Sequence, residues 1–220
     1  MWTREILSMI GIGILESLYM TLLSTLIAYV IGLPMGILLV VTDKDGIAPF
    51  VLFNKILGAI VNLIRSIPFV ILLITIMPFT RAIIGTTIGP NAVVVPLIIG
   101  SAPYIARLVE SSLKEVDHGV IEAAQSMGAS PIQIIFKVLI PEAMPSLIIG
   151  GAIALITILS YSAMSGFVGG GGLSSIAINY GYYRNETDIM LVTVAILVII
   201  VQIFQELGAW WMKHSDKRIS

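Results

Sequence analysis

Residues 113–145 read LKEVDHGVIEAAQSMGASPIQIIFKVLIPEAMP. The stretch carries too much charge to cross a bilayer, yet its apolar residues recur too regularly for an idle linker. It reads as two short helices joined by a turn. Asp117 supplies an N-cap for the first, and Gly128 ends it in a left-handed turn. Ser130, Pro131, Ile132 and Gln133 open the second with a capping box whose first helical residue is proline. Ile132, Ile135, Phe136, Leu139 and Ile140 follow at helical spacing. Pro141 is expected to break this helix, and Pro145 to lie in the first turn of the next one.

Outward from this stretch the chain becomes strongly apolar. Of 220 residues 57% are hydrophobic and 11% charged, whereas an ordinary soluble domain has about 25% charged residues. Mean hydropathy is +1.02. A helix needs about 20 mostly apolar residues to span the hydrocarbon core, and residues 17–42, 56–80, 88–110, 143–165 and 187–212 meet that requirement. The expected fold is all-α: one polytopic membrane domain over residues 1–220, with five transmembrane helices and a helical loop, 115–141, between the third and fourth. The N-terminal segment sets Arg4 beside Glu5 and shows no small-residue cleavage pattern, so it is expected to be retained. The glycine-dense residues 166–172 interrupt the apolar run and read as a hinge or outer turn, with 173–183 a short helix or loop at the membrane surface.

Five spans put the termini on opposite sides, and the basic residues decide which is which. With the N-terminus outside, the inner segments hold Lys44, Lys55, Arg107, Lys114, Lys137, Lys213, Lys217 and Arg218, against Arg4, Arg81 and Arg184 outside. The C-terminus and the loop 115–141 are therefore expected in the cytoplasm. A net charge of −1 gives no reason to expect nucleic acid as a partner.

Within the loop, Glu122-Ala123-Ala124, three residues, Gly128, nine residues and Val138-Leu139-Ile140-Pro141 resemble the EAA loop of ABC importer permeases, E-A-A, x3, G, x9, I-x-L-P. The resemblance extends along the chain and points to the permease subunits of methionine importers in IGLPMGILL (31–39), NLIRSIPFVILL (62–73), PFTRAIIGTTIGPNA (78–92), SAPYIARLVE (101–110) and YSAMSGFVGGGGL (161–173). Arg-Ser-Ile-Pro (65–68) is similar in polar amino-acid permeases and does not select methionine, whereas the PFTR and YSAM stretches discriminate more. It implies a subunit of the bacterial cytoplasmic membrane that imports methionine, the D form included, and does no covalent chemistry itself. ATP and magnesium would sit on a partner ATPase. The implied partners are a second copy of the chain, two cytoplasmic ATPase subunits, an extracytoplasmic methionine-binding lipoprotein and the lipid bilayer. An importer of another amino acid and, more remotely, a secondary transporter are the competing readings.

By that resemblance Glu122, Ala123, Ala124, Gly128, Ala129 and Pro131 form the coupling element. Small alanines permit close approach and Glu122 offers a charged anchor to a groove. Candidates for the translocation path are Arg65, Ser66 and Pro68 on the second span and Tyr161, Ser162, Met164 and Ser165 at the end of the fourth. Arg65 either lines the path, since a charge within a span faces protein or water, or snorkels to the interface or caps carbonyls loosened by Pro68. Gly32 with Gly36 and Gly85 with Gly89 match G-x-x-x-G, which suits close helix contact within or between subunits. Arg107 and Glu110 are spaced for a local pair. The chain has no cysteine, and His118 and His214 lack ligand spacing, so neither a catalytic nor a metal site is expected. Gly169–Gly172 lacks the lysine and hydroxyl of a phosphate-binding loop.

Overall fold

The computed structural model describes residues 4–215, all of whose regular structure is helical. Lys217 and Arg218, counted above for orientation, lie outside the described residues. Helix α1 runs over Arg4–Val41, α2 over Val51–Arg65, α3 over Phe69–Ile84, α4 over Pro90–Lys114, and α5 over His118–Ser126. Helix α6, Pro131–Ile134, passes through a π-helical turn, Ile135–Leu139, into α7, Ile140–Met164. A 3-10 turn at Ser165–Val168 leads to α8, Gly172–Ile176, itself extended by a π-helical stretch Ala177–Tyr182, and α9 covers Thr187–Ser215.

Four helical stretches are long and apolar enough to cross a membrane, Arg4–Val41, Pro90–Lys114, Pro131–Tyr182 and Thr187–His214, and the broken pair α2 and α3 makes a fifth if taken as one span. Three differences from the expected spans have physical causes. The first helix begins at Arg4 rather than near residue 17, and at 38 residues it is roughly 57 Å long at 1.5 Å per residue, more than a hydrocarbon core needs. The second, expected over 56–80, is interrupted at residues 66–68, because Pro68 forces Ile67 out of helical geometry and itself sits extended at φ −55°, ψ 134°.

The third difference concerns Pro141, which does not break the helix. Helix α7 begins at Ile140 and passes through both Pro141 and Pro145. In the preceding turn the N–H of Ile140 reaches back five residues to the Ile135 carbonyl. This widened turn absorbs the register change that a missing proline donor demands. The second helix of the loop is thus the beginning of α7.

The described chain divides into two compact units, each assembled from three separated stretches: residues 4–28, 67–101 and 154–205 in one, 29–66, 102–153 and 206–215 in the other. In the first, Ile10, Leu159, Leu173 and Ile200 form a buried cluster flanked by Ile14, Leu18 and Phe204. Residues 173–182, left open above as helix or loop, are helical, and Leu173 and Ile176 are buried. Their start is held by α1: the Glu16 carboxylate accepts from the Gly172 N–H at 2.7 Å, and the Ser17 hydroxyl from the Leu173 N–H at 2.9 Å. A carboxylate at a helix N-terminus meets its exposed donors and positive dipole end.

In the second unit Leu39, Val61 and Ala106 are buried together, with Met35 and Leu57 against them. Here Gly32 and Gly36 bring α1 onto α4. A β-carbon on Gly36 would stand 2.6 Å from both the Ala106 carbonyl oxygen and Val109 Cβ. This motif therefore serves packing inside one chain. Gly85 and Gly89 do not pack helices: Gly85 caps α3 in the left-handed conformation, and a β-carbon added at either would meet nothing within 4 Å.

Candidate functional site

The segment from Asp117 to Phe136 is a capped unit built from local rules. The Asp117 carboxylate accepts from the Gly119 N–H at 2.6 Å, starting α5. At the far end Gly128 takes φ +79°, its N–H donates to the Gln125 carbonyl at 2.9 Å, and the Ala129 N–H donates to the Ala124 carbonyl at 3.1 Å. This is a Schellman cap. It explains the spacing between the second alanine and the glycine, since the residue whose carbonyl is capped precedes the left-handed one by four. Ser130 then accepts from the Gln133 N–H at 3.4 Å while the Gln133 side chain accepts from the Ser130 N–H at 2.9 Å, with Pro131 leading α6.

The six coupling candidates differ in exposure. Glu122, Ala123, Gly128 and Pro131 are exposed, Ala129 is half-buried and Ala124 is buried. Ala123 is free to approach another surface, whereas Ala124 packs inward and supplies the capped carbonyl. Beside Glu122 lies a cavity of about 400 Å³ lined also by Asp43, Asp45, Lys114, His118 and Gln125. The sequence reading missed the most exposed apolar side chains of this element: Met127 is 82% exposed, Ile132 68% and Phe136 64%. The signal was present in the apolar periodicity of 132–140, but periodicity does not tell which members face inward. Ile134 and Leu139 do.

The path candidates also part company. Tyr161 lies parallel to Phe69, ring centroids 4.6 Å apart, and Met164 is exposed. Ser162 and Ser165 are buried, their hydroxyls donating to the Leu159 and Ser162 carbonyls of the same helical run, which leaves them occupied within the chain. Arg65, Ser66 and Pro68 are exposed. At the end of α2 the Ser66 N–H and hydroxyl both donate to the Asn62 carbonyl, at 3.0 and 2.8 Å. Among the described residues no three His, Asp or Glu stand close enough to hold a metal ion.

Residues 28–220 match the family described as the binding-protein-dependent transport system inner membrane component. The chain belongs to this family. The transport component is 48% identical over 203 residues to the probable D-methionine transport system permease protein MetI of Vibrio cholerae, covering 92% of this chain and 90% of that one. It is also 48% identical over 181 residues to the methionine import system permease protein MetP of Bacillus subtilis, 82% of each chain. Among solved structures, a chain of the MetNI methionine ABC transporter in an inward-facing conformation superposes with TM-score 0.96 at 44% identity, covering 98% of the transport component and all of that chain, 100%. As a member of this family the transport component is a multi-pass membrane protein.

Proposed function

We propose that the chain is the permease subunit of an ATP-driven importer of methionine, in both D and L forms, in the bacterial cytoplasmic membrane. The observation that carries this reading is the capped element Asp117–Phe136, which leaves Glu122, Ala123, Met127, Ile132 and Phe136 exposed in a chain similar along 98% of its length to a chain of a methionine ABC transporter. A helix presenting apolar anchors and one charge suits a groove on a partner. On this reading the partner is a pair of ATPase subunits that bind ATP and magnesium and carry out hydrolysis. A second copy of the chain completes the path, and a methionine-binding lipoprotein delivers substrate from outside. The positive-inside bias puts the N-terminus outside and α5 in the cytoplasm.

In the cycle, ATP-driven closure of the ATPase pair moves α5 and α6, and the spans follow. Gly128, Ala129 and Pro131 keep the element stiff enough to carry the push, while Arg65, Ser66, Pro68, Tyr161, Ser162, Met164 and Ser165 remain the candidates for the path. Proteoliposomes holding the permease, the ATPase and the binding protein test this. Labelled methionine is expected to accumulate only with ATP inside and binding protein outside, and Glu122→Lys to cut uptake at least tenfold while the chain stays in the membrane. Uptake without ATP, or better competition by another amino acid than by methionine, overturns the reading.

A further inference from the structure

Four alternating charges join three parts of the second unit. Arg107 on α4 contacts Glu110 one turn along, Nη1 to Oε2, at 2.5 Å. The other Glu110 oxygen receives Lys114 Nζ at 2.9 Å, and the same ammonium stands 3.5 Å from Asp43 in the α1–α2 turn. At the opposite end Arg107 Nη2 donates to Asn62 Oδ1 at 2.7 Å and to the Gly58 carbonyl at 3.3 Å, both on α2. The first turn of α2 is tied as well: Asn54 Nδ2 donates to the Leu39 carbonyl at 2.6 Å and to the Thr42 hydroxyl at 3.1 Å. The Glu110 side chain is 12% exposed and that of Arg107 25%, so screening of this pair by solvent is limited and both carboxylate oxygens are engaged, whereas Lys114 and Asp43, 49% and 39% exposed, form the solvated end.

The geometry points to Arg107 as a positioning residue that makes the end of α4, the α1–α2 turn and α2 move together with α5. Lys114 closes α4, and Asp117 caps α5 only three residues later, with Val116 buried between them, so displacement of α5 is delivered directly to the charged chain. Its other terminus is Asn62, whose carbonyl receives both Ser66 donors at the end of α2. Arg107 thus grips the last turn before the break at residues 66–68. Its planar guanidinium reaches a carboxylate on its own helix and two acceptors on α2 at once, which a lysine ammonium cannot do from one position. An ion-pair network of this kind fixes geometry more than it adds stability.

This inference rests on the reading that α5 receives the force of an ATPase, and two readouts keep the two separable. In proteoliposomes of the full complex, Arg107→Gln is expected to leave assembly and ATP hydrolysis within about twofold and to lower methionine moved per ATP at least tenfold. Arg107→Lys is expected to recover only part of that ratio, and Asn62→Asp, which keeps an acceptor, most of it. Independently, spin labels at Lys55→Cys and Ser111→Cys, both exposed, in a chain with no other cysteine, are expected to give one narrow distance distribution that broadens in Arg107→Gln. Parallel loss of hydrolysis and uptake with an unchanged ratio, or an unchanged distance distribution, overturns the clamp. An absence of ATP-driven uptake in the parent protein overturns the transport reading alone, because the label pair still decides the clamp.

Discussion

Gly36 and Gly11 occupy the same helix and face opposite demands. The added carbon at Gly36 meets a backbone carbonyl and a β-branched side chain on α4, neither of which can retreat without moving a helix, whereas nothing lies within 4 Å of one at Gly11. Overpacking a tight contact costs about 1–3 kcal/mol. Gly36→Val is therefore expected to lower the melting temperature of the detergent-solubilised protein by on the order of 5 °C, and Gly11→Ala to leave it nearly unchanged. Equal melting of both variants would mean that α1 does not depend on this contact. At this scale the sequence is ambiguous for a definite reason. Gly32 with Gly36 and Gly85 with Gly89 spell one motif, but the first pair lies mid-helix against α4 and the second sits where α3 has ended with φ positive at both glycines. Spacing cannot distinguish them because it says nothing of the opposite wall. Ser162 and Ser165 are equally silent in sequence about their bonding, since a serine's hydroxyl can be satisfied by the carbonyl three residues behind it, as both are here.

The caps of α5 and α6 were legible residue by residue, because each is a local rule: a carboxylate two residues before its donor, a glycine at the left-handed position, a serine and glutamine that exchange bonds. Gly128 carries the strictest of these. A β-carbon at φ +79° strains the backbone by about 1 kcal/mol, and less for asparagine, which tolerates the left-handed region. Gly128→Ala is expected to speed amide hydrogen exchange across residues 118–129 by about fivefold, and Gly128→Asn by less. Identical exchange in the two variants would remove the cap from any role in stiffening the element. Pro141 was read the other way, as a breaker, because the sequence displays the missing donor but not the π-helical turn that accommodates it. The break at residues 66–68 escaped for a related reason: apolar composition continues across Pro68, and hydropathy averages over backbone geometry.

Contiguous windows of sequence find spans, yet each compact unit draws on an early, a middle and a late stretch of the chain. The membrane class and a count of four to five spans followed from composition, while the grouping of segments depends on contacts across more than a hundred residues. Orientation rests on the distribution of basic residues, and a chain without cysteine makes its test direct. Thr187 and Ser126 are both exposed. A membrane-impermeant maleimide is expected to label Thr187→Cys in intact cells and Ser126→Cys only after the membrane is opened; the reverse pattern would invert the topology.

The hold of Glu16 and Ser17 on the N–H groups of Gly172 and Leu173 spans 156 residues of sequence in each bond. A ribosome adding about 5–20 residues per second leaves the first helix without these partners for roughly 10–30 s. During synthesis the Glu16 carboxylate therefore waits for the N–H group that it accepts from in the finished fold. The order of synthesis thus makes the arrival of residues 172 and 173, rather than the first span, the step that completes this contact.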